Sequence, residues 1–357
     1  MSALAAAGRN CPRSILVRCP NWVGDLVMAG PALRALRATF PEAEIALLLK
    51  PSLTGIVSGA PWHDRVVALH TYGRERGPRG TWRAAAALRR ERFDLGVLLP
   101  SSFSSAWLLR LGGVGRILGY ARNARSLLLT DRVPPPRERG RIVPVPMTRY
   151  YLDLVAGLGC AVDRTDLELF VTPEESSEVD ALFRRLELST ARPLVAITPG
   201  ASFGASKMWP PDRFAQAADT LLARHGGAAC LFPGPGEEET AERVAKAIRG
   251  PVRIAPVVGL GVLKAAIARC DLLVTNDSGA RHLAVAFGVP HVVVMGPTDP
   301  RYTSMNLDHA VIVRREVPCG PCHLKVCPID HRCMTQITSG DVVAAAEAAL
   351  ATRGGRA

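Results

Sequence analysis

Short, continuously apolar runs alternate with amphipathic stretches along most of this chain. In the first half the runs are SILVRCP (14–20), EIALLLK (44–50), RVVAL (65–69), DLGVLLP (94–100) and RILGY (116–120), and residues 25–39, 81–92 and 104–111 separate several of them with helical character. Runs that are apolar at every position, not at alternate ones, predict strands covered on both faces. Strands of that kind spaced by helices predict a doubly wound parallel sheet. A second series starts at PLVAITPG (193–200) and continues through ACLFPG (229–234), DLLVTND (271–277) and HVVVMGP (291–297). The expected fold class is therefore α/β, with two such sheets.

The polar stretch 172–192 separates the two series, giving an expected first domain at 1–175 and a second at 176–338 that includes a Cys-rich segment, 319–333. A helix over 339–357, starting at Ser339, is expected to pack back on the first domain. A length of 357 residues suits two cores. No apolar run reaches the roughly 18 residues that span a bilayer, and the N-terminal MSALAAAGRN lacks a secretory apolar core, so a cytoplasmic location is expected.

Two glycine-bearing turns carry the candidate chemistry. ITPGASFGASKMWP (197–210) and LLVTNDSGARHLAVAFG (272–288) each leave an apolar run and open a helix. Helix starts have unbonded N–H groups and a positive dipole end, so a pair of them suits a diphosphate. In the first turn Gly200 and Gly204 allow close backbone approach, Ser202 offers a hydroxyl and Lys207 a charge for a departing phosphate. The spacing is not that of a P-loop, and no G-x-G-x-x-G follows the first strand. In the second turn Ser278 and Gly279 offer N–H groups. Asp277 reads as a helix cap or a ligand contact, and His282 as a packed histidine or a site residue. Between the turns, Glu237 and Glu238 suit ribose hydroxyls or simply complement a helix dipole. In the first half, Gly24 and Asp25 follow a strand end, and Asp25 is either a helix cap or a general base.

These motifs, in this order, resemble the lipopolysaccharide heptosyltransferases of glycosyltransferase family 9, and their heptosyltransferase II branch in particular. The likeness runs from PNWVGDLVMAGPALRAL (20–36) through SSFSSAWLLRLGGVGRILGYARNARSLLLT (101–130) and PGASFGASKMWP (199–210) to NDSGARHLA (276–284). It implies a GT-B fold, two Rossmann-like domains facing a central cleft. It also implies an inverting transfer of L-glycero-D-manno-heptose from ADP-heptose to the heptosylated inner core of a Kdo-lipid A acceptor. Asp25 matches the family's base, Lys207 the lysine at the donor phosphates, and Asp277, Ser278 and Gly279 the turn holding donor sugar and diphosphate. Glu237 or Glu238 matches the ribose-binding acid. Where family members often have Asn-Ser-Phe, this chain has Ser101-Ser102-Phe103, so Ser102 with Arg122 and Arg125 stands in the acceptor region, and Arg116 beside them. The leaving-group charge falls to Lys207, so no catalytic metal is expected. The alternative is a GT-B-type nucleotide-sugar epimerase, which needs no acceptor.

Charge and cysteines complete the picture. A formal charge of +12, nearly all from arginine, suits anions. With 5% aromatic residues a nucleic-acid binder is not expected. The phosphorylated lipid A core at the inner membrane surface fits the charge, with peripheral membrane contact only, and Arg74, Arg76, Arg79 and Arg83 form a further basic group. Cys319, Cys322, Cys327 and Cys333 have spacing open to a structural zinc, reduced thiols or a disulfide.

Overall fold

The computed structural model describes residues 11–70 and 77–354, so the N-terminal MSALAAAGRN and Arg74 and Arg76 lie outside the described residues. The chain divides into two compact units, Met1–Glu168 with Arg301–Met305, and Leu169–Pro300 with Asn306–Ala357.

The first unit holds a six-stranded sheet of β1 (Ser14–Arg18), β2 (Glu44–Leu49), β3 (Arg65–Ala68), β4 (Leu95–Leu98), β5 (Arg116–Tyr120) and β6 (Asp131–Val133). Its order is β3-β2-β1-β4-β5-β6 and every neighbouring pair is parallel. A two-stranded antiparallel ribbon follows, β7 (Arg137–Glu138) with β8 (Arg141–Ile142). The second unit repeats the same order with β9 (Leu194–Thr198), β10 (Ala228–Leu231), β11 (Val252–Ile254), β12 (Leu272–Asn276), β13 (His291–Met295) and β14 (Ala310–Arg314), arranged β11-β10-β9-β12-β13-β14. Each sheet reverses direction of growth beside its first strand, between β1 and β4 and between β9 and β12. At such a switch point the loops leaving the strands diverge and open a crevice.

The nine apolar runs named above all became strands. The edge strands β6 and β11 escaped that reading because they are three residues long, partly buried and mixed in sequence, and the apolar edge strand β14 was not read either. The helical stretch 25–39 is two helices, Val23–Met28 and Gly30–Thr39. Pro31 has no N–H to continue the first helix, so the chain breaks at Ala29 and restarts with proline in its first turn.

The domain boundary falls between Glu168 and Leu169, slightly earlier than expected. The helix Pro173–Arg185 opens the second unit with a capping box, Thr172 with Glu175. The terminal helix Ser339–Gly354 corrects the expected return to the first domain. Val342, Val343, Ala346 and Ala349 enter the same apolar core as Trp209, Phe214, Val274 and Val292 of the second unit. Burial of that alanine-rich face on the second sheet outweighs any surface role for the helix.

Candidate functional site

In the second unit, the turns after β9 and β12 are tied together at the switch point. Asn276 ends β12 and donates from its amide to the Pro199 carbonyl at 2.6 Å, while its Oδ1 accepts the Trp209 N–H at 3.0 Å. Thr198 Oγ1 donates to Thr275 Oγ1 at 2.6 Å between the adjacent strand ends. This cross-linking holds Lys207 beside Asp277, 70 positions later in the chain.

Lys207 Nζ lies 2.8 Å from Asp277 Oδ2 and 2.9 Å from the Asp277 carbonyl. Arg281, one turn on, meets Oδ1 at 3.0 Å, and Thr298 donates its hydroxyl to Oδ2 at 2.6 Å. Burial alone would raise the Asp277 carboxyl. The Lys207 ammonium and Arg281 guanidinium, helped by the Lys207 and Thr298 bonds, more than offset it and hold the group ionised well below the usual carboxylate range. Asp277 is thus the anion at the centre of a buried cationic pair. Its reading as a helix cap is corrected: Ser278 is the N-cap residue of Gly279–Ala286, and no side chain caps that helix. Arg281 and Thr298 were missed in sequence because nothing in their spacing shows that they converge on one carboxylate.

The remaining residues of this half separate into two groups. Ser202 is exposed and Ser278 and Gly279 are half-buried, on the turns around Lys207. Glu237 is half-buried with its carboxylate against Gly200, where any Cβ would collide with it, and it accepts the Gly234 N–H at 2.9 Å. Burial raises its carboxyl, tempered by that bond, with Glu238 adding to the rise. Glu238 is exposed in the first turn of Glu238–Ala247, so Glu237 is the acid that lies at the β9 turn. Gly204 corrects an expectation: its bare Cα faces the Lys325 carbonyl, so it makes room for the Cys-rich segment and not for a phosphate. His282 is buried and pushed down to about 3, chiefly by burial and then by the Arg281 charge, so it is neutral and offers no cation to a ligand.

In the first unit, Gly24 and Asp25 lie in the first turn of Val23–Met28, immediately after β1 at the switch point. The N-cap residue is Trp22, so Asp25 is not the cap. Tyr151 makes a long 3.5 Å bond from its hydroxyl to Asp25 Oδ1. Burial, and then the Asp25 charge, keep that phenol protonated far above its ordinary range, so it always donates.

The acceptor-region residues need three corrections. Ser102 caps the helix Phe103–Leu111, its Oγ accepting from the Ser105 N–H at 3.2 Å. Arg125 is fully buried and donates to the carbonyls of Tyr120 at 3.0 Å and Pro100 at 2.6 Å, its pKa lowered by burial to about 10. It ties the ends of β4 and β5 together and cannot reach an external anion. Arg116 is taken up by Asp131 at 2.8 Å. Arg122 is half-buried, whereas Arg79 and Arg83 are exposed. A cavity of about 1260 Å³ in this unit opens among Arg13, Ala43, Asp94, Arg116 and Asp131, residues at or just before strand starts. It therefore lies at the opposite ends of the strands from Asp25, away from where open sheets bind ligands.

The spacing of the four clustered cysteines left a structural zinc, reduced thiols and a disulfide open, and the structure shows thiols. Among the described residues, no group of three or more His, Cys, Asp or Glu side chains is arranged to hold a metal ion. Cys333 is turned inward, buried beside Gly296, while Cys319 and Cys322 are exposed. All nine cysteines are free thiols.

Comparison with known proteins finds relatives of the whole chain. The family model described as "Glycosyltransferase family 9 (heptosyltransferase)" matches residues 81–332. The chain is 28% identical over 315 residues to lipooligosaccharide heptosyltransferase 2 of Haemophilus influenzae, spanning 84% of this chain and 88% of that protein. It is 28% identical over 311 residues to lipopolysaccharide heptosyltransferase 2 of Escherichia coli, spanning 84% and 87%. The solved structure of E. coli ADP-heptose lipopolysaccharide heptosyltransferase II, 26% identical, matches with a TM-score of 0.76 over 96% of this chain and 99% of that one.

Proposed function

The chain belongs to glycosyltransferase family 9, and on that premise we propose that it moves L-glycero-D-manno-heptose from ADP-heptose to the heptosylated inner core of lipopolysaccharide, inverting the anomeric carbon. The observation that carries the reading is the Lys207–Asp277 pair between two strand-end turns, beside a helix start that no side chain caps. A diphosphate arriving there offers Lys207 a second anion and meets the N-terminus of Gly279–Ala286, which no side chain caps.

Each side chain then has one task. Asp25 removes the proton from the attacking acceptor hydroxyl, and Tyr151 orients its carboxylate by donating to Oδ1. As the bond from the anomeric carbon to the β-phosphate oxygen breaks, negative charge grows on the phosphate, and Lys207 with the two turns stabilises it. That fixed positive charge does what a divalent cation does in other transferases, so catalysis proceeds without a metal. Glu237 accepts from the ribose hydroxyls, and Asp277 holds Lys207 in place between turnovers and meets the donor sugar. Arg122 remains as the acceptor-side cation of the three named in sequence.

No helix among the described residues is long and apolar enough to cross a membrane. The lipid-borne acceptor is met at the inner face of the cytoplasmic membrane. Exposed Trp22, Trp82, Phe103 and Trp107, with Arg79 and Arg83, supply the interfacial aromatic and cationic groups for that peripheral contact.

Incubation with ADP-heptose and a truncated core glycolipid, followed by mass measurement, tests the proposal. A gain of one heptose residue with release of ADP is expected. Consumption of ADP-heptose at the same rate without acceptor would favour an epimerase-type activity, and no reaction in either case would sink the reading.

A further inference from the structure

The segment holding the four clustered cysteines has no task in the chemistry above, yet it lies directly on the loop that carries Lys207. The Ser206 N–H donates to the Lys325 carbonyl at 3.0 Å, and Ser206 Oγ donates to the Leu324 carbonyl. His331 Nε2 stands 2.6 Å from the Ser206 carbonyl. Gly204, at φ 152°, has no Cβ because the Lys325 carbonyl occupies that space. The same segment also grips the loop after β13. A Cβ on Gly296 would collide with the Met334 sulfur, with Cys333 Sγ at 3.0 Å, and the His323 N–H donates to the Pro297 carbonyl at 2.9 Å. Gly296 and Pro297 lead straight to Thr298, whose hydroxyl bonds Asp277. One strap, 319–334, therefore clasps both chain segments that converge on the Asp277 carboxylate, one through Ser206 and the other through Gly296.

We propose that His331 is a positioning residue of the donor site, fixing the backbone beneath Lys207 through its bond to the Ser206 carbonyl. This rests on the reading of Lys207 as a donor-phosphate ligand. A carbonyl only accepts, so Nε2 carries the proton, and the bond persists whether or not Nδ1 is protonated. Lysine is a flexible side chain whose immobilisation opposes binding. Anchoring the residue before it restricts where the ammonium can go, so part of that cost is met before the ligand arrives. His331 acts through the Ser206 backbone.

The test compares wild type with His331→Ala and His331→Gln, since glutamine offers an amide N–H of similar reach. ADP affinity is measured by titration calorimetry and steady-state rates with ADP-heptose. Alkylation of Cys333 by N-ethylmaleimide is followed by mass spectrometry, because that thiol is buried only while the strap is seated. His331→Ala is expected to weaken ADP binding about 5- to 10-fold, the worth of one hydrogen bond. KM for ADP-heptose should rise by a similar factor, with kcat less affected, and Cys333 labelling should quicken. His331→Gln should restore all three. Unchanged ADP affinity and labelling in His331→Ala would overturn the proposal, and so would equal losses in both variants, which a purely structural role predicts. If His331→Ala does not fold, Ser206→Ala, which removes only the hydroxyl bond to Leu324, is read the same way with a smaller loss. Wild-type protein that fails to bind ADP would instead remove the donor-site reading itself.

Discussion

Replacing Asp277 by asparagine separates stability from nucleotide binding in a way few substitutions would. The carboxylate is shared by Lys207 at 2.8 Å, Arg281 at 3.0 Å and the Thr298 hydroxyl at 2.6 Å. Side-chain exposures of 14% for Lys207, 9% for Asp277 and 1% for Arg281 leave little water to screen the loss. Asparagine keeps the size and one acceptor but leaves two cations without their anion. Removing one member of a buried ion pair costs about 3 to 5 kcal/mol. For a unit of this size each kcal/mol is worth about 2 to 4 °C, so the second unit should melt roughly 6 to 20 °C lower. ADP supplies the missing negative charge. Thermal scans with and without saturating ADP should therefore show a larger ligand-induced rise in Asp277→Asn than in wild type, even though the variant starts lower. A wild-type melting temperature in the variant would refute the claim that Asp277 neutralises this pair. A smaller ADP-induced rise would refute the claim that phosphate takes its place.

Three further outcomes are expected. Asp25→Asn should cost on the order of 100-fold or more in kcat while ADP affinity stays at the wild-type value; near-normal turnover in a coupled ADP-release assay would remove Asp25 as the base. His282 and His291 are buried neutral and pushed down to about 3 and about 4, in both cases chiefly by burial. Their folded values lie below the unfolded value of about 6.5, so the stability they contribute is present above that pH and is lost as pH falls towards the folded values. Guanidinium titrations should show about 2 kcal/mol lost per histidine between pH 7 and 5, and a His282→Gln variant with an unchanged acid slope would contradict this. Treatment with EDTA should leave heptose transfer intact, whereas activity lost to the chelator and restored by one divalent ion would show that Lys207 does not carry the leaving-group charge alone.

How far the chain could be read in advance depended on what kind of interaction decides each feature. Central strands such as β1, β9 and β12 are buried on both faces, so their sequences are unbroken apolar runs and stand out. Edge strands β6 and β11 are half-covered, and their short mixed sequences resemble loops. Lys207 and Asp277 were each visible from the glycine-rich turns around them. Their pairing was not, because it depends on β9 and β12 being neighbours, with Asn276 stitching their ends. Arg125 was misread because arginine usually marks a surface, whereas here three donors of the guanidinium point at backbone carbonyls at the ends of β4 and β5 or just beyond. Cysteine spacing showed four thiols within one segment. It did not show that Cys333 is turned inward against Gly296, where burial first and then the charges of Cys322, Cys327 and Cys319 push its thiol up.

The placement of the terminal helix also bears on synthesis. Residues 11–168 contain all six strands of the first sheet, whereas the second lacks the cover over β13 and β14 until Val342 to Ala349 have been made. From the end of β14 at Arg314 to Ala349, at about 5 to 20 residues per second, the ribosome needs roughly 2 to 7 s. During that interval an apolar half-sheet stands uncovered after the first unit has been made. Nascent chains arrested short of Val342 are therefore the species for chaperones to capture, and shortening the C-terminus should lower soluble yield long before it touches any residue that handles sugar.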